Sequence, residues 1–399
     1  MVCLAHSFMP KAELSNYKGR EQAYVKHYLL ERYLPDWGFK VGSKWEALVY
    51  VDGFAGPWET KDPNYADSSF AVAIDALRRC RLGLQGRGFS LSVSAVLVES
   101  HPEAFAKLDS FVKSSPEAEV SVTAIPGKFI DSIPQINQHV RSAGRRTFKF
   151  VLLDPKGWAD IPMQQLQPFL KTRSCEVLIT LMTKHINRFL NEEDRAPSYH
   201  NLFGRTGVLE TLQNAVGDER TELAVKEYCK SLQMLCGFRF VSSAVILEPE
   251  ESQIRYFLVY ATNHPRGVEV FKAAENKAAE VQEILRHEIY LQKSGKAGQG
   301  ALFSEDPPIS TYSFRLLQRY RDRARAKVLE CLKNAPQATV KYESLFCEAM
   351  AFPLVTPEDL LGWLDDFDPY IELHPTEGHK KLSPSRADYV SIIDRQSLQ

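Results

Sequence analysis

Three apolar stretches of this chain each run into an acid. Ala47-Leu48-Val49-Tyr50-Val51 leads to Asp52, Val93-Ser94-Ala95-Val96-Leu97-Val98 to Glu99, and Phe148-Lys149-Phe150-Val151-Leu152-Leu153 to Asp154. In doubly wound sheets ligands sit beyond the carboxyl ends of the strands, so acids there are placed to hold ribose hydroxyls or an amine. The first acid opens the turn Asp52-Gly53-Phe54-Ala55-Gly56, whose glycines adopt unusual dihedrals and remove side chains that would block a ligand. Helix amides just beyond would face the bound molecule. Glu99 fits the ribose role. It lies roughly twice as far from the glycine turn as the about 20 residues of the dinucleotide fingerprint, so an insertion is expected around Glu59 to Asp67, and a plain NAD site is disfavoured.

The elements that must carry these acids are strands. Further apolar runs at Cys175 to Leu181, Val241 to Leu247 and Tyr256 to Ala261, with a weaker one at Val120 to Ile125, bring the total to seven. Only Glu248 to Arg255 separates the last two, too short for a crossover helix, so they pair as a hairpin. Six parallel strands and one antiparallel strand make the Rossmann-like α/β sheet of class I S-adenosylmethionine-dependent methyltransferases, expected over about residues 46–290 with a helical insertion near 185–235. Residues 1–45 read as a helical extension in which Tyr24, Tyr28 and Leu29 cover the sheet or Lys26 reaches a substrate.

A narrower resemblance rests on Lys26-His27-Tyr28-Leu29-Leu30-Glu31-Arg32-Tyr33-Leu34, Val51-Asp52-Gly53-Phe54-Ala55-Gly56-Pro57, Leu153-Asp154-Pro155, Asn187-Arg188-Phe189, Phe203-Gly204 and Tyr256 to His264. With these the chain resembles the bacterial three-Cys-motif partner proteins. The resemblance implies a methyltransferase-like fold and a partner protein with a three-cysteine, radical-S-adenosylmethionine-like motif, and the strand-end acids and glycine turn then point to S-adenosylmethionine at Asp52, Gly53, Phe54, Ala55, Gly56 and Glu99. The chain departs from the family pattern at Trp58, where a glycine commonly follows Pro57. A ring there is expected to narrow the methionine end of the pocket.

Asp154, Pro155 and Lys156 stand where methyltransferases acting on exocyclic amines carry Asp/Asn-Pro-Pro-Tyr/Phe. There the side-chain oxygen and the adjacent carbonyl accept hydrogens from the amine, its lone pair faces the methyl group, and an aromatic ring stacks on the base. Here Lys156 replaces the second proline, and the aromatic, Trp158, comes one place late. The alternative is that Asp154 only caps the next helix.

At 399 residues, 44% hydrophobic and 25% charged, the chain can bury a full core, and its net charge of −1 supplies no global field toward nucleic acid. The N-terminus lacks a basic-then-apolar signal pattern and no run suits a bilayer, so a cytoplasmic protein is expected. Seven cysteines without a Cys-x-x-Cys pair read as reduced thiols and give no metal site; His185 is assigned no role.

Small and polar residues with Pro307-Pro308 mark a linker over 291–313. Within it Gln299, Leu302 and Phe303 match the Gln-x-x-Leu-Phe peptide that docks on bacterial sliding clamps, unless Leu302 and Phe303 pack back on the protein. Beyond, over 314–399, three helices and a hairpin at Ile371 to Leu382 suggest a winged-helix-like α+β domain. Its first helix carries Leu317, Tyr320, Ala324, Val328 and Cys331 on one face and arginines around the rest; its third is acidic, which opposes entry into a DNA groove. Two functions stay open. One is methylation of a nucleic-acid base, DNA or RNA, by an enzyme of this class; the other is a non-catalytic scaffold recruiting the three-cysteine partner to DNA or the clamp.

Overall fold

The computed structural model describes residues 13–114, 119–184, 186, 196–293 and 308–398. Gln299, Leu302, Phe303, His185 and Asn187-Arg188-Phe189 lie outside them. Seven strands form one sheet in the order β3-β2-β1-β4-β5-β7-β6, six parallel and one antiparallel, which is the Rossmann-like methyltransferase arrangement. They are β1 Ala47–Asp52, β2 Ser92–Glu99, β3 Ser121–Pro126, β4 Thr147–Leu153, β5 Cys175–Leu181, β6 Phe240–Leu247 and β7 Ile254–Thr262. As expected from the short connection, β6 and β7 pair antiparallel, and β5 pairs antiparallel with β7. Every residue of β1, β4, β5 and β6 is buried, as befits strands covered on both faces. The chain divides into two compact units, Met1–Lys149 and Phe150–Gln399.

In the first unit β1 pairs in parallel with β2, and β2 with β3. Helix α1 (Glu21–Gly42) packs along α2 (Ser69–Gln85), and α3 (Pro102–Ser114) and α4 (Phe129–Ser142) follow β2 and β3. The inward residues of α1 are Val25, Tyr28, Leu29, Tyr33, Leu34 and Trp37, so Tyr28 and Leu29 do cover the core, and Lys26 is buried with them at 8% exposure. His27 is also buried and shares a 2.9 Å hydrogen bond with the Tyr17 hydroxyl. Burial first, then the Lys26 and Arg20 charges, holds its pKa well below the ordinary 6.5.

The second unit adds α5 (Met163–Leu170), the helices α6 (Ala196–Phe203), α7 (Val208–Gln213) and α8 (Gly217–Cys236) between β5 and β6, and the long α9 (Pro265–Lys293). Its C-terminal part holds α10 (Pro308–Lys333), β8 (Thr339–Lys341), α11 (Tyr342–Met350), α12 (Pro357–Asp366), β9 (Ile371–His374) and β10 (Tyr389–Ile392). Thr356 caps α12 with a capping box and Pro357 opens it, as the sequence dictates. The hairpin differs from expectation. β9 pairs with β10, which pairs in turn with β8, while Lys380-Lys381-Leu382 sits in the exposed-to-half-buried loop between β9 and β10. That loop is organised by Asp388, which accepts from Thr376 N and Oγ and from Ser383 N and is paired with Arg386.

The buried stripe of α10 is Leu316, Tyr320, Ala324, Val328 and Leu332, displaced by one residue at both ends from the expected Leu317 and Cys331. This part is fastened to the sheet side of its unit. Ser242 Oγ donates to Met350 O at 2.6 Å, Lys272 Nζ to Phe352 O at 2.6 Å, and Leu354 N to Glu275 Oε1 at 2.8 Å. Lys272 and Glu275 form a fully buried pair at 2.8 Å, in which burial pushes the lysine down and the carboxylate up. An ion pair so buried stabilises little net but fixes geometry, because losing one partner strands the other.

Candidate cofactor turn and acceptor loop

The turn after β1 is held by its own acid. Asp52 is 0% exposed; its Oδ1 accepts the Phe54 N–H at 3.1 Å, and its Oδ2 accepts the Ser69 hydroxyl at 2.8 Å and the Tyr50 hydroxyl at 3.3 Å. The carboxylate thus ties the turn to the start of α2. Besides the cofactor contact expected of it, Asp52 thereby positions the turn. Ala55 N donates to Val98 O at 2.8 Å, pinning the turn to β2. Gly53 and Ala55 are buried, whereas Phe54 and Gly56 are half-buried.

The expected insertion is present: twelve residues, 57–68, separate Gly56 from the first residue of α2. Asp67, fully buried, organises it by accepting Lys61 N at 2.9 Å and Asp62 N at 3.3 Å and by pairing with Arg20. Ser68 then caps α2 through Ala71 N at 3.2 Å. Nothing in the local pattern announced the Arg20 partnership, which spans the whole of α1 and β1.

Glu99 ends β2 at 5% exposure, and its Oε1 accepts His101 N at 2.6 Å. A Cβ added to Gly56 would meet Glu99 Oε2 at 2.0 Å and Trp58 Nε1 at 2.3 Å. Glycine is therefore required here to admit the protein's own carboxylate and indole. The Trp58 ring packs edge-on against His101 with centroids 4.4 Å apart and remains 44% exposed. Its indole edge lies over Gly56 beside Glu99. Across the turn, the Phe54 and Phe129 rings lie 6.2 Å apart, Phe129 opening α4 after Gly127, whose φ of +126° only glycine adopts readily. Gly127 N donates to Glu99 O at 2.9 Å, so the ends of β2 and β3 are joined. This arrangement offers a ribose-binding carboxylate, backbone at a glycine turn and two aromatic rings, all within the first unit.

The acceptor loop belongs to the second unit. Asp154 is half-buried, Pro155 buried and Lys156 exposed. The helices that follow begin at Trp158 and Met163 with Gly157 and Pro162 in the cap positions, so Asp154 is not their cap. The Tyr256 hydroxyl on β7 is raised above its ordinary value by burial and then by the charge of Asp154. Trp158 is 8% exposed and packs on Tyr199 with centroids 5.0 Å apart. The ring is spent against the helical insertion.

Four arginines of α10 are likewise engaged. Arg319 and Arg323 both pair with Glu222 of α8, Arg321 with Asp359 at 2.7 Å and Arg325 with Asp366 at 3.8 Å. The acids of α12 thus balance α10 within the protein. Among the described residues no cluster of three or more His, Cys, Asp or Glu is placed to hold a metal ion, and no helix is long and apolar enough to cross a membrane.

No protein-family model matches the chain, and no curated protein does. Solved structures with similar folds include a Legionella pneumophila protein of the DUF519 family, 12% identical, covering 66% of this chain and 91% of its own at a TM-score of 0.38. An O-methyltransferase from Bacillus cereus in complex with SAH is 12% identical over 58% of this chain and 80% of its own, TM-score 0.30. A loganic acid methyltransferase with SAH is 10% identical over 77% and 91%, TM-score 0.31. These scores are low, and it is the strand order with its antiparallel β7 that carries the fold: a Rossmann-like, methyltransferase-type sheet.

Proposed function

We propose that the first unit binds S-adenosylmethionine at Gly53 to Gly56 with its ribose on Glu99, and that the protein transfers the methyl group to an amine of a nucleic-acid base with Asp154 at the acceptor. The observation that carries this reading is the convergence of Gly56, Glu99 and the Phe54–Phe129 pair at adjacent ends of β1, β2 and β3. A buried carboxylate beside a glycine turn suits a ribose diol, which can donate two hydrogen bonds to it. Bound there, the cofactor supplies an electrophilic methyl group. Asp154 is assigned the hydrogen bonds from the amine that would receive it. Lys156, exposed beside it, suits a phosphate of the same substrate. With Trp158 withdrawn into the core, stacking on the base falls to another ring. The three-cysteine partner, docking of the clamp by Gln299, Leu302 and Phe303, and a winged-helix role for α10 to β10 are part of this proposal.

The test is incorporation of radiolabelled methyl into DNA and RNA by the wild type and by Asp154→Ala, alongside cofactor affinity. Loss of incorporation with affinity kept within a few-fold supports the assignment, because the contact is made with the acceptor. Wild-type turnover in the variant contradicts it.

The scaffold reading draws on a specific feature too. Trp58 lies over Gly56 beside Glu99, and Arg319, Arg321, Arg323 and Arg325 of α10 pair with acids of the protein itself. A wild type that folds and binds no S-adenosylmethionine favours it.

A further inference from the structure

We propose that Trp58 controls access to Glu99: its indole occupies the place of the nucleoside and must swing away before a ribose can reach the carboxylate. This rests on the cofactor reading above. Three observations carry it. Glu99 is only 5% exposed although it ends a strand beside a turn that is itself half-open at Phe54 and Gly56. The indole edge, Nε1 and Cδ1, lies within 2.3 and 2.7 Å of the point above Gly56 from which Glu99 Oε2 is 2.0 Å away. The indole edge and the carboxylate oxygen therefore crowd the same space over Gly56. The ring is also a large aromatic left 44% exposed, resting on His101 at 4.4 Å. An indole left 44% exposed buries only part of its apolar surface, which limits the cost of moving it. Pro57 before it and the Asp67-held segment after it leave the ring on a short tether between Gly56 and Lys61.

The consequence is a penalty on binding. If the uncovered state is the minor one, apparent affinity is reduced by its fraction, and removing the ring restores it. Full-length wild type, Trp58→Ala and Trp58→Phe are titrated calorimetrically with S-adenosylhomocysteine and with adenosine, which has the ribose but lacks the amino-acid end. Trp58→Ala is expected to bind both ligands at least tenfold more tightly than wild type, and Trp58→Phe to stay within about threefold of it, since a covering ring remains. Equal binding in wild type and Trp58→Ala overturns the proposal, and weaker binding in Trp58→Ala replaces it with a stacking role. Either result leaves the cofactor site itself standing, whereas absence of binding in wild type and variants alike removes both. A second readout does not depend on a variant folding. Acrylamide quenching of wild-type tryptophan emission is expected to rise when S-adenosylhomocysteine is added, as the indole leaves Glu99, and unchanged quenching at saturating ligand overturns the proposal.

Discussion

The ends of β1 and β2 in the first unit and the end of β4 in the second carry the same local pattern, an apolar strand closed by an acid, yet the three acids do different work. Asp52 is sealed in and accepts three hydrogen bonds that set the turn. Glu99 is covered by neighbours but aimed at that turn. Asp154 stands half-open beside an exposed lysine and near Tyr256. The difference teaches that an acid at a strand end reports a location beyond the sheet, while its role depends on what else is brought to it. A carboxylate whose oxygens are both taken by the protein's own donors builds the turn; one that keeps an oxygen toward a glycine stands where a ligand could reach it once its cover moves.

That contrast can be broken most directly through stability. Asp52→Ala strands a backbone N–H and two hydroxyls, and is expected to cost about 3 kcal/mol or more by urea unfolding, whereas Asp154→Ala should stay within about 1 kcal/mol. Equal losses would mean that the two acids are not distinguished as described. Next in size, Gly56→Ala pushes a methyl into Glu99 Oε2 and Trp58 Nε1 and is expected to cost about 1–3 kcal/mol, part of it recovered in the Gly56→Ala, Trp58→Ala double variant. An unaltered unfolding midpoint for Gly56→Ala would contradict the crowding.

The smallest effect separates the units by pH. His27 and His139 in the first unit have pKa values lowered by burial, so the unfolded chain takes up their protons first as pH falls. The stability they contribute is complete above the ordinary 6.5 and is lost as pH drops below it toward the folded values. In the second unit burial alone would raise Glu227 and Glu248, but hydrogen bonds from Lys230 and Arg205, and from Lys184 and Arg255, hold them below the ordinary 4.5. Their contribution persists until pH falls through that lower range. Amide exchange followed by mass spectrometry should therefore show α1 loosening between pH 7 and pH 5.5 while α8 stays protected, and His27→Asn should flatten the response of α1. Parallel loosening of both helices would refute the assignment.

Much of the sheet is legible in the sequence, since β1, β4, β5 and β6 are buried along their whole length and read as mainly apolar runs. The capping box at Thr356 is equally local. What stays hidden is set by partners far along the chain. Arg20 meets Asp67, Ser69 meets Asp52, and Trp58 meets His101 and Glu99, none at a spacing that periodicity marks. The same holds at β9, whose partner is β10 rather than the nearer Lys380-Lys381-Leu382, because Asp388 folds the intervening loop back on itself. Trp158 reads as a stacking ring in a motif and is a core ring in the fold, because Tyr199 reaches it from the helical insertion.

The central claim is that Glu99 receives the ribose of S-adenosylmethionine at the turn ending in Gly56. Its most direct measurement is calorimetric titration of S-adenosylmethionine into the wild type and Glu99→Ala. Loss of hydrogen bonds to a charged group is expected to weaken binding by about 1.5–3 kcal/mol, or roughly 10- to 150-fold in Kd, with circular dichroism unchanged. Equal affinity in the two proteins would contradict the claim.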